Sequence, residues 1–293
     1  MNSYAKIKEA QSSYTSTEKV IAKYILENAA DVLKCSAQSL GEKTGTSAAA
    51  IIRFSKKLGY NGFSELKMSL AQSKRAPEEK IDFIIDENDD IVTLADKCCR
   101  LNMNTVLKTY QLIDTNQLDN AIKKLIAANT IYLFGVGGSA IVAQDVEQKL
   151  TRIGKKVIYN KDLHVQLTFS ESMNKEDAAL FISYSGTTKG LVEIAKMIKN
   201  KNVPIISITQ FKPNPLSKLS DIILQVPNEE KEIRMGAISS RISSLVMTDL
   251  LYYGVFKNDL TGNKDKLIET KRIVSKLSLI HISEPTRPLY ISY

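Results

Sequence analysis

The apolar positions of the chain follow two different spacings, one in the first quarter and another from about residue 130 onward. In the first part they recur every three or four residues, as at Val20, Ile21, Tyr24 and Ile25, which predicts amphipathic helices. In the later part, short apolar runs alternate with helical stretches, a pattern typical of buried parallel strands joined by helices. We therefore predict an all-helical N-terminal domain followed by an α/β domain with a doubly wound parallel sheet.

Three helices and a tight turn are predicted in the first part. The spacing indicates helices over residues 17–28, 39–43 and 47–58, with Ser16 or Thr17 capping the first and Ser47 capping the third. Gly45 stands between the second and third helices, where the turn needs a positive φ. A helix, a glycine turn and a second helix form the layout of a helix-turn-helix motif. The side chains expected to face inward are Leu40, Ala50, Ile51, Phe54 and Leu58.

Basic residues are concentrated in this helical part. The chain of 293 residues has 40 Lys and Arg against 32 Asp and Glu, a net charge of +8. Residues 1–75 alone hold 12 basic against 6 acidic residues, which places +6 of that charge there. A basic run is also typical of a solvated helix face, but the helix-turn-helix layout favours contact with DNA.

The third predicted helix supplies the candidate DNA contacts. Its small first residues allow close approach to base edges, and the N–H groups after Ser47 can bind a phosphate. Arg53 is expected to contact DNA directly, whereas Lys56 and Lys57 are expected to contact phosphates because flexible point charges read little sequence. The complete set of predicted DNA-binding residues is Thr46, Ser47, Ala48, Ala49, Arg53, Lys56 and Lys57.

The string RFSKKLGYNGFSELK, residues 53–67, resembles the N-terminal DNA-binding module of the RpiR/MurR family of bacterial transcriptional regulators. That family usually has a hydroxyl residue where this chain has Ala50, so one polar contact of the family is missing. The resemblance implies that residues 1–75 form a helix-turn-helix DNA-binding domain.

Between the two patterns, Pro77 and the acidic residues 86–90 interrupt the helical periodicity and predict a boundary at about residues 76–90. A helix is expected over residues 91–113. We assign residues 76–104 to a linker and connecting helix, and residues 105–276 to the second domain.

Five strands are predicted in the second domain, over residues 131–134, 156–159, 178–182, 204–209 and 221–226. Helices are expected over residues 140–153, 190–200, 238–256 and 264–276. The ligand of such a sheet binds at the carboxyl ends of its strands.

Glycines and hydroxyl residues follow the first and third predicted strands, each immediately before a helix. Backbone amides at a helix start, together with hydroxyl groups, suffice to bind a phosphate monoester. The predicted ligand-binding residues are Gly137, Gly138, Ser139, Ser183, Tyr184, Ser185, Gly186, Thr187 and Thr188. The first loop also fits a dinucleotide motif through Gly135, Gly137 and Ala140, but such a site does not need the second hydroxyl-rich loop. We predict no cofactor.

The strings GVGGS and SYSGTT resemble those of the sugar isomerase (SIS) domain, which binds phosphosugars. The resemblance implies phosphate contacts from Ser139, Ser183, Ser185 and Thr188, while an amide side chain often stands in place of Tyr184. The two resemblances occur in the order found in RpiR/MurR regulators, which implies a helix-turn-helix domain followed by a SIS domain.

Because some SIS domains are isomerases, the alternative function is that of a phosphosugar isomerase or another SIS-domain enzyme. Isomerisation needs a base near the sugar, and the candidates are His164, Glu171, Glu229, Glu230 and Glu232, none of which lies in a motif. We therefore predict a regulator without enzymatic activity, a repressor of carbohydrate or amino-sugar catabolism genes controlled by a phosphosugar. It is expected to bind paired half-sites of duplex DNA as a homodimer. The apolar helix over residues 238–256 can serve either the dimer interface or the core.

Cys35, Cys98 and Cys99 lack the spacing of a metal site or a disulfide framework, which indicates a reducing cytoplasm. No membrane span or secretory signal is apparent in the sequence, so we expect no membrane partner.

The final segment, residues 277–293, differs in character from the helix predicted before it. Its string LSLIHISEPTR resembles the translation of a synthetic adapter used in sequencing libraries, which predicts a non-native tail. A genuine tail interrupted by Pro285 and Pro288 is the alternative.

Overall fold

The computed structural model describes residues 3–72, 85–229 and 236–283. In the N-terminal domain, α1 (Ser3–Glu9) continues into a 3₁₀ turn (Ala10–Ser13) and is followed by α2 (Ser16–Glu27), α3 (Ala29–Val32), α4 (Ala37–Lys43), α5 (Ala48–Lys57) and α6 (Phe63–Gln72). All the predicted helices are present, with ends that differ by a few residues.

Local capping explains where these helices begin. Thr15, rather than Ser16 or Thr17, caps α2, because its side chain and that of Glu18 form a reciprocal capping box. Ser47 caps α5 as predicted, and Gly45 in the turn has a φ of +62°. The helix-turn-helix layout therefore consists of α4, the turn and α5.

One apolar cluster holds the N-terminal domain together. Leu40, Ile51 and Phe54 are fully buried, and the rings of Tyr14 and Phe54 pack with their centroids 5.2 Å apart. Ile7 of α1 is also fully buried, so the first helix belongs to this core. The inward stripe predicted for α5 is confirmed.

The second part of the chain contains α7 (Ile91–Leu112), α8 (Thr115–Ala127), β1 (Ile131–Phe134), α9 (Gly138–Arg152), β2 (Val157–Ile158), α10 (Leu163–Ser172), β3 (Ala178–Ile182), α11 (Lys189–Lys199), β4 (Ile205–Gln210), α12 (Pro215–Leu219), β5 (Ile222–Val226), α13 (Ser239–Asn258) and α14 (Leu260–Ser283). Asp90 caps α7, which runs without a break across the boundary predicted between residues 104 and 105. Residues 76–84 of the predicted linker lie outside the described residues.

The five strands form one parallel sheet in the order β2-β1-β3-β4-β5. Phe134 is in register with Phe181, and Ile182 with Ile208. One apolar cluster joins α8, α9 and α13 to the sheet, and a second joins α10, α11 and α12 to it. The predicted doubly wound sheet is confirmed.

The two last helices extend the α/β domain. Met247, Leu251 and Val255 of α13 are buried in the core cluster, so this helix serves the core of the chain itself. The helix α14 begins before the predicted residue 264 and continues to Ser283, past the predicted end at Lys276. Residues 284–293 of the predicted tail lie outside the described residues. No helix in the described part of the chain is long and apolar enough to cross a membrane.

The N-terminal domain contacts the α/β domain through α1. This helix packs against α7, and the carboxylate of Glu9 accepts a hydrogen bond from the backbone N–H of Asn228. Burial raises the pKa of Glu9 to about 7, although the Asn228 hydrogen bond and the Lys108 and Lys8 cations oppose the shift and the Glu229 carboxylate adds to it. The contact between the domains therefore contains a carboxyl group that titrates near neutral pH.

This pKa predicts how stability depends on pH. Because the pKa of Glu9 is about 7 in the fold and 4.5 as its ordinary value, the folded chain binds more protons between these two values. The contribution of Glu9 to the free energy of unfolding should fall as pH rises from about 4.5 to 7, by up to about 3 kcal/mol, and then stay level. Glu9→Gln should lack this fall.

Urea unfolding of the wild type, Glu9→Gln and the control Glu27→Gln between pH 5 and 8 checks this prediction. Glu27 is an exposed carboxylate on α2, so its removal should leave the pH profile of the wild type. Parallel profiles for the wild type and Glu9→Gln would show that Glu9 does not titrate in this range.

Candidate functional site

The first candidate site is the exposed face at the start of α5. Ala48 is half-buried and Ala49 is exposed, and these small side chains leave room for DNA to approach the start of α5 closely. The hydroxyl of Ser47 accepts a hydrogen bond from the N–H of Ala50 at 3.2 Å, and the Thr46 hydroxyl lies 2.8 Å from that of Thr44. Thr46 and Ser47 therefore shape the turn, and the small residues after them are the open positions.

The basic residues of α5 differ in their surroundings. Arg53 and Lys56 are exposed, and within residues 3–72, 85–229 and 236–283 neither forms a salt bridge. Lys57 instead binds the carboxylate of Glu18 at 2.7 Å and the carbonyl oxygen of Ser13 at 2.9 Å. Arg53 and Lys56 consequently offer open positive charge, whereas part of the charge of Lys57 is neutralised.

Glu18 is held ionised by this arrangement. Burial opposes its ionisation, but hydrogen bonds from Lys57 and Thr15 hold the pKa of the carboxyl below its ordinary value.

Ile52, beside Arg53 on α5, has 40% of its surface exposed and was not among the predicted DNA contacts. An exposed apolar side chain here can contact a thymine methyl group.

The second candidate site lies where the carboxyl ends of β1 and β3 meet. These two strands are neighbours at the point where the strand order reverses, which is where ligands bind in open α/β sheets. A pocket of about 190 Å³ opens between the two predicted loops. It is lined by Val136, Gly137, Gly138, Ser139, Ile182, Ser183, Tyr184, Ser185, Thr188, Leu191, Ala237 and Ser240.

Three helices begin at this pocket, and none of them has a side-chain cap. Gly137 precedes α9, Thr188 precedes α11 and Ile238 precedes α13, and no side chain of these residues accepts a hydrogen bond from the helix. In contrast, Asp114 caps α8 and Asp162 caps α10. The positive ends of three helix dipoles therefore converge on one pocket, which favours an anion.

The hydroxyl groups of the pocket point to the same chemistry. Those of Ser139, Ser183 and Thr188 have no hydrogen-bond partner among the residues that the structure describes, so they can bind a ligand. The Ser185 hydroxyl accepts hydrogen bonds from the N–H and the hydroxyl of Thr187, at 3.3 and 3.0 Å. Thr187 is exposed and supports Ser185 without lining the pocket.

Two features of the pocket were missed in the sequence. Ala237 and Ser240 line it from the start of α13, and a Cβ atom on Gly138 would lie 2.6 Å from that of Ala237. Gln166 is fully buried and pairs with both backbone groups of Gly135, at 3.2 and 3.0 Å, which positions the first loop. For Ala237 and Ser240 the sequence contains one signal, because Ser239 and Ser240 follow Gly236 at the start of a predicted helix.

Tyr184 differs from the other predicted ligand residues. Only 5% of its surface is exposed, and its hydroxyl donates to the carbonyl oxygen of Pro227 at 3.0 Å. The same hydroxyl accepts a hydrogen bond from the N–H of Glu229 at 2.9 Å. Tyr184 therefore lines the pocket while its polar end binds a different segment of the chain.

The three candidate bases for isomerisation that the structure describes do not line the pocket. His164 is exposed on α10, Glu171 is paired with Lys201, and the carboxylate of Glu229 binds Lys108 at 2.7 Å. Two further candidates, Glu230 and Glu232, lie outside the described residues. In the described part of the chain, no cluster of His, Cys, Asp and Glu could hold a metal ion.

Two larger depressions lie elsewhere on the α/β domain. One, of about 740 Å³, includes Lys123 and Lys199, but both are paired with carboxylates of Asp119 and Asp221. The other, of about 260 Å³, lies beside β5 and the capped start of α8. Neither is lined by an uncapped helix start of the described residues, so size alone does not select the ligand site.

Comparison with known families gives one match in the N-terminal part of the chain and another in the C-terminal part. Residues 1–77 match the helix-turn-helix domain of the rpiR family, and residues 124–253 match the SIS domain. An uncharacterized HTH-type transcriptional regulator of Caldanaerobacter subterraneus is 38% identical over 271 residues, covering 92% of this chain and 96% of that protein. A similar regulator of Thermotoga maritima is 34% identical, covering 86% of this chain and 91% of that protein.

Among solved structures, the Vibrio vulnificus NanR protein complexed with ManNAc-6P superposes with a TM-score of 0.60 at 28% identity, covering 94% of this chain and 99% of that one. The sugar isomerase domain of an RpiR transcription factor from Sphaerobacter thermophilus has a TM-score of 0.54 at 15% identity, over 61% of this chain and 98% of that one, and shows the fold alone. These matches confirm both resemblances that the sequence motifs indicated.

The close approach of residue 237 to the first loop can be tested by paired substitutions. Gly138→Ala should lower the free energy of unfolding by about 1–3 kcal/mol, because its new methyl group overlaps that of Ala237. Ala237→Gly in the same chain should restore most of that loss. Urea unfolding of both single variants and the double variant measures the coupling. Additive effects would show that the two residues do not meet.

Proposed function

Because this chain belongs to the rpiR family of helix-turn-helix transcriptional regulators, we propose that it is a phosphosugar-controlled repressor of carbohydrate or amino-sugar catabolism genes. The observation that carries the proposal is the pocket between β1 and β3. Three uncapped helix starts meet there with the hydroxyls of Ser139, Ser183 and Thr188, which have no hydrogen-bond partner among the described residues. The other domain of the chain exposes a basic helix.

A phosphate monoester suits this pocket for electrostatic reasons. Among the described residues no Lys or Arg lines it, and the positive potential that these residues supply comes from the dipoles and amides of α9, α11 and α13. The hydroxyls of Ser139, Ser183 and Thr188 can donate to phosphate oxygens, and charge-assisted bonds of this type are the stronger ones. The volume of about 190 Å³ is below the range of about 300–1,000 Å³ for larger ligands and suits a compact one.

The structural relative narrows the choice of probes. The structure of Vibrio vulnificus NanR is a complex with ManNAc-6P, an amino-sugar phosphate, and it covers 94% of this chain. We therefore propose hexose and amino-sugar 6-phosphates as the effector class. ManNAc-6P and glucosamine 6-phosphate are the first compounds to test.

The DNA-binding part of the proposal rests on α4, the turn and α5. Residues 46–49 approach the bases, Arg53 contacts base edges or phosphates, and Lys56 and Lys57 contribute phosphate contacts. Two copies of this motif in a homodimer would bind paired half-sites, as expected for a regulator acting on DNA in the cytoplasm. Ligand control then requires that the phosphosugar favour one placement of these motifs over another.

The domain boundaries belong to the proposal as well. We propose residues 1–75 as the DNA-binding domain, 76–104 as the connection and 105–276 as the effector domain, with α7 shared between the last two. Residues 277–293 are proposed to be non-native, although the backbone of α14 continues to Ser283.

We propose that the chain is not an enzyme. Among the described residues, no carboxylate or histidine lines the pocket to move a proton between sugar carbons. Incubation with hexose and amino-sugar 6-phosphates, followed by NMR of the sugar, should show no isomerisation. Turnover would instead assign the chain to the isomerases of the SIS fold.

Ser183→Ala and Ser185→Ala should weaken ligand binding without unfolding the chain. Each removes one donor to the phosphate, so we expect affinity for ManNAc-6P or glucosamine 6-phosphate to fall about tenfold or more. Calorimetry with these compounds and inorganic phosphate measures the change. Ser172→Ala, at an exposed position on α10, is the matched control and should bind normally. Unchanged affinity in Ser183→Ala and Ser185→Ala would contradict the proposed orientation of the phosphate.

The lysines and the arginine of α5 should differ in their effect on DNA binding. Arg53→Ala should weaken binding by about tenfold or more, whereas Lys57→Ala should cost less because Glu18 already neutralises that charge. Fluorescence anisotropy on a duplex selected by the protein from a random pool measures this order at several salt concentrations. Lys23→Ala on α2 is the control for lost charge, and ligand affinity should be normal in all variants. Equal losses in Arg53→Ala and Lys23→Ala would refute the assignment of α5 as the reading helix.

A further inference from the structure

Tyr184 connects the ligand pocket to the N-terminal domain by two routes. Its neighbours in the chain, Ser183 and Ser185, line the pocket and are proposed phosphate contacts. Its own side chain and carbonyl group are hydrogen-bonded to two segments that touch the N-terminal domain. A ligand held by the two serines would therefore act directly on the backbone that carries Tyr184.

The first route runs through residues 227–229. The Tyr184 hydroxyl donates to Pro227 at 3.0 Å and accepts from the N–H of Glu229 at 2.9 Å. The residue between them, Asn228, donates its backbone N–H to the carboxylate of Glu9 on α1. Consecutive residues of one short segment thus bind the ligand loop on one side and the DNA-binding domain on the other.

The second route runs through the end of β4. The carbonyl oxygen of Tyr184 accepts hydrogen bonds from the N–H of Gln210 at 2.8 Å and from the hydroxyl of Thr209 at 3.1 Å. The next residue, Phe211, packs against the apolar cluster of the N-terminal domain. Both polar ends of Tyr184 therefore hold segments that the N-terminal domain contacts.

The side chain of Glu229 connects the segment 227–229 to α7. Its carboxylate accepts hydrogen bonds from the hydroxyl of Thr105 at 2.6 Å and from the ammonium group of Lys108 at 2.7 Å. Because α1 packs against α7, the segment 227–229 is held between both helices. Movement of residues 227–229 would therefore change the hydrogen bond to Glu9 and with it the position of α1.

We propose that Tyr184 is the positioning residue that transmits occupancy of the pocket to the DNA-binding domain, through residues 227–229 and Glu9. The inference rests on the proposed phosphosugar control and specifies its physical route. Tyr184 does not bind the sugar through its hydroxyl, because that group is engaged with Pro227 and Glu229. Its role is to make the position of α1 depend on the position of the ligand loop.

Tyr184→Phe tests this role because it removes the hydroxyl and keeps the ring. Two quantities are measured on the full chain: the affinity for the best-binding probe among ManNAc-6P and glucosamine 6-phosphate, and the DNA affinity with and without saturating probe. The ratio of the two DNA affinities is the coupling factor, commonly between about 5 and 150 in allosteric proteins. In Tyr184→Phe, the coupling factor measured at a probe concentration that saturates the variant should fall clearly below that of the wild type, because only the route through the backbone carbonyl and the end of β4 remains.

A second variant interrupts the route at its other end. Glu9→Ala removes the acceptor of the Asn228 N–H and should also reduce the coupling factor while leaving probe affinity unchanged. The double variant Tyr184→Phe/Glu9→Ala should lose no more coupling than either single variant, because both lie on one route. Tyr253→Phe, at an exposed tyrosine on α13, is the matched control and should retain full coupling.

The outcomes separate this inference from the proposed function. A wild type whose DNA affinity responds to no phosphosugar would refute the proposed function and the inference with it. A responsive wild type with equal coupling in Tyr184→Phe would refute the inference alone. Loss of probe affinity in Tyr184→Phe would make Tyr184 a ligand contact, and additive losses in the double variant would show that Glu9 acts by another route.

Discussion

The pocket of the α/β domain depends on amide groups at three helix starts where the residue before the helix provides no side-chain cap. A helix leaves its first N–H groups without backbone partners, and a cap at this position normally stabilises the fold by about 1 kcal/mol. This chain caps α2, α5, α7, α8 and α10 with Thr, Ser or Asp, but leaves α9, α11 and α13 uncapped at one pocket. The proposed anionic ligand would provide the stabilisation that a cap normally provides, so binding and stability would be linked there.

The contact between the two domains follows a different physical constraint. Glu9 is a carboxylate placed in a buried contact, where desolvation raises its pKa close to neutral. It interacts with one backbone N–H, two lysines and a second carboxylate, and these partners do not offset the cost of its burial. A contact of this kind fits the proposed ligand control, because a large apolar interface would hold the two domains in a single arrangement.

The candidate DNA and ligand residues could be proposed from the sequence because each group is local. Gly137 to Ser139 and Ser183 to Thr188 follow strands whose apolar runs mark their ends, and the basic residues of α5 follow a capped turn. Ala237, Ser240 and Gln166 were not found in this way, because their roles depend on the packing of distant helices on the sheet. This packing brings Ala237 and Ser240 of α13 to the pocket and Gln166 of α10 to the first loop. The pairing of Lys57 with Glu18 was missed for the same reason, since the two residues lie on different helices.

The sequence by itself determined the two domains, the doubly wound parallel sheet and the two loops that meet at its edge. These follow from hydrophobic periodicity, helix caps and glycine turns, which act over a few residues. Only the tertiary structure decided that a third helix start completes the pocket, and that Tyr184 directs its hydroxyl to residues 227 and 229. Both depend on contacts between segments more than 40 residues apart, and such contacts are selected by the shape and polarity of the whole fold.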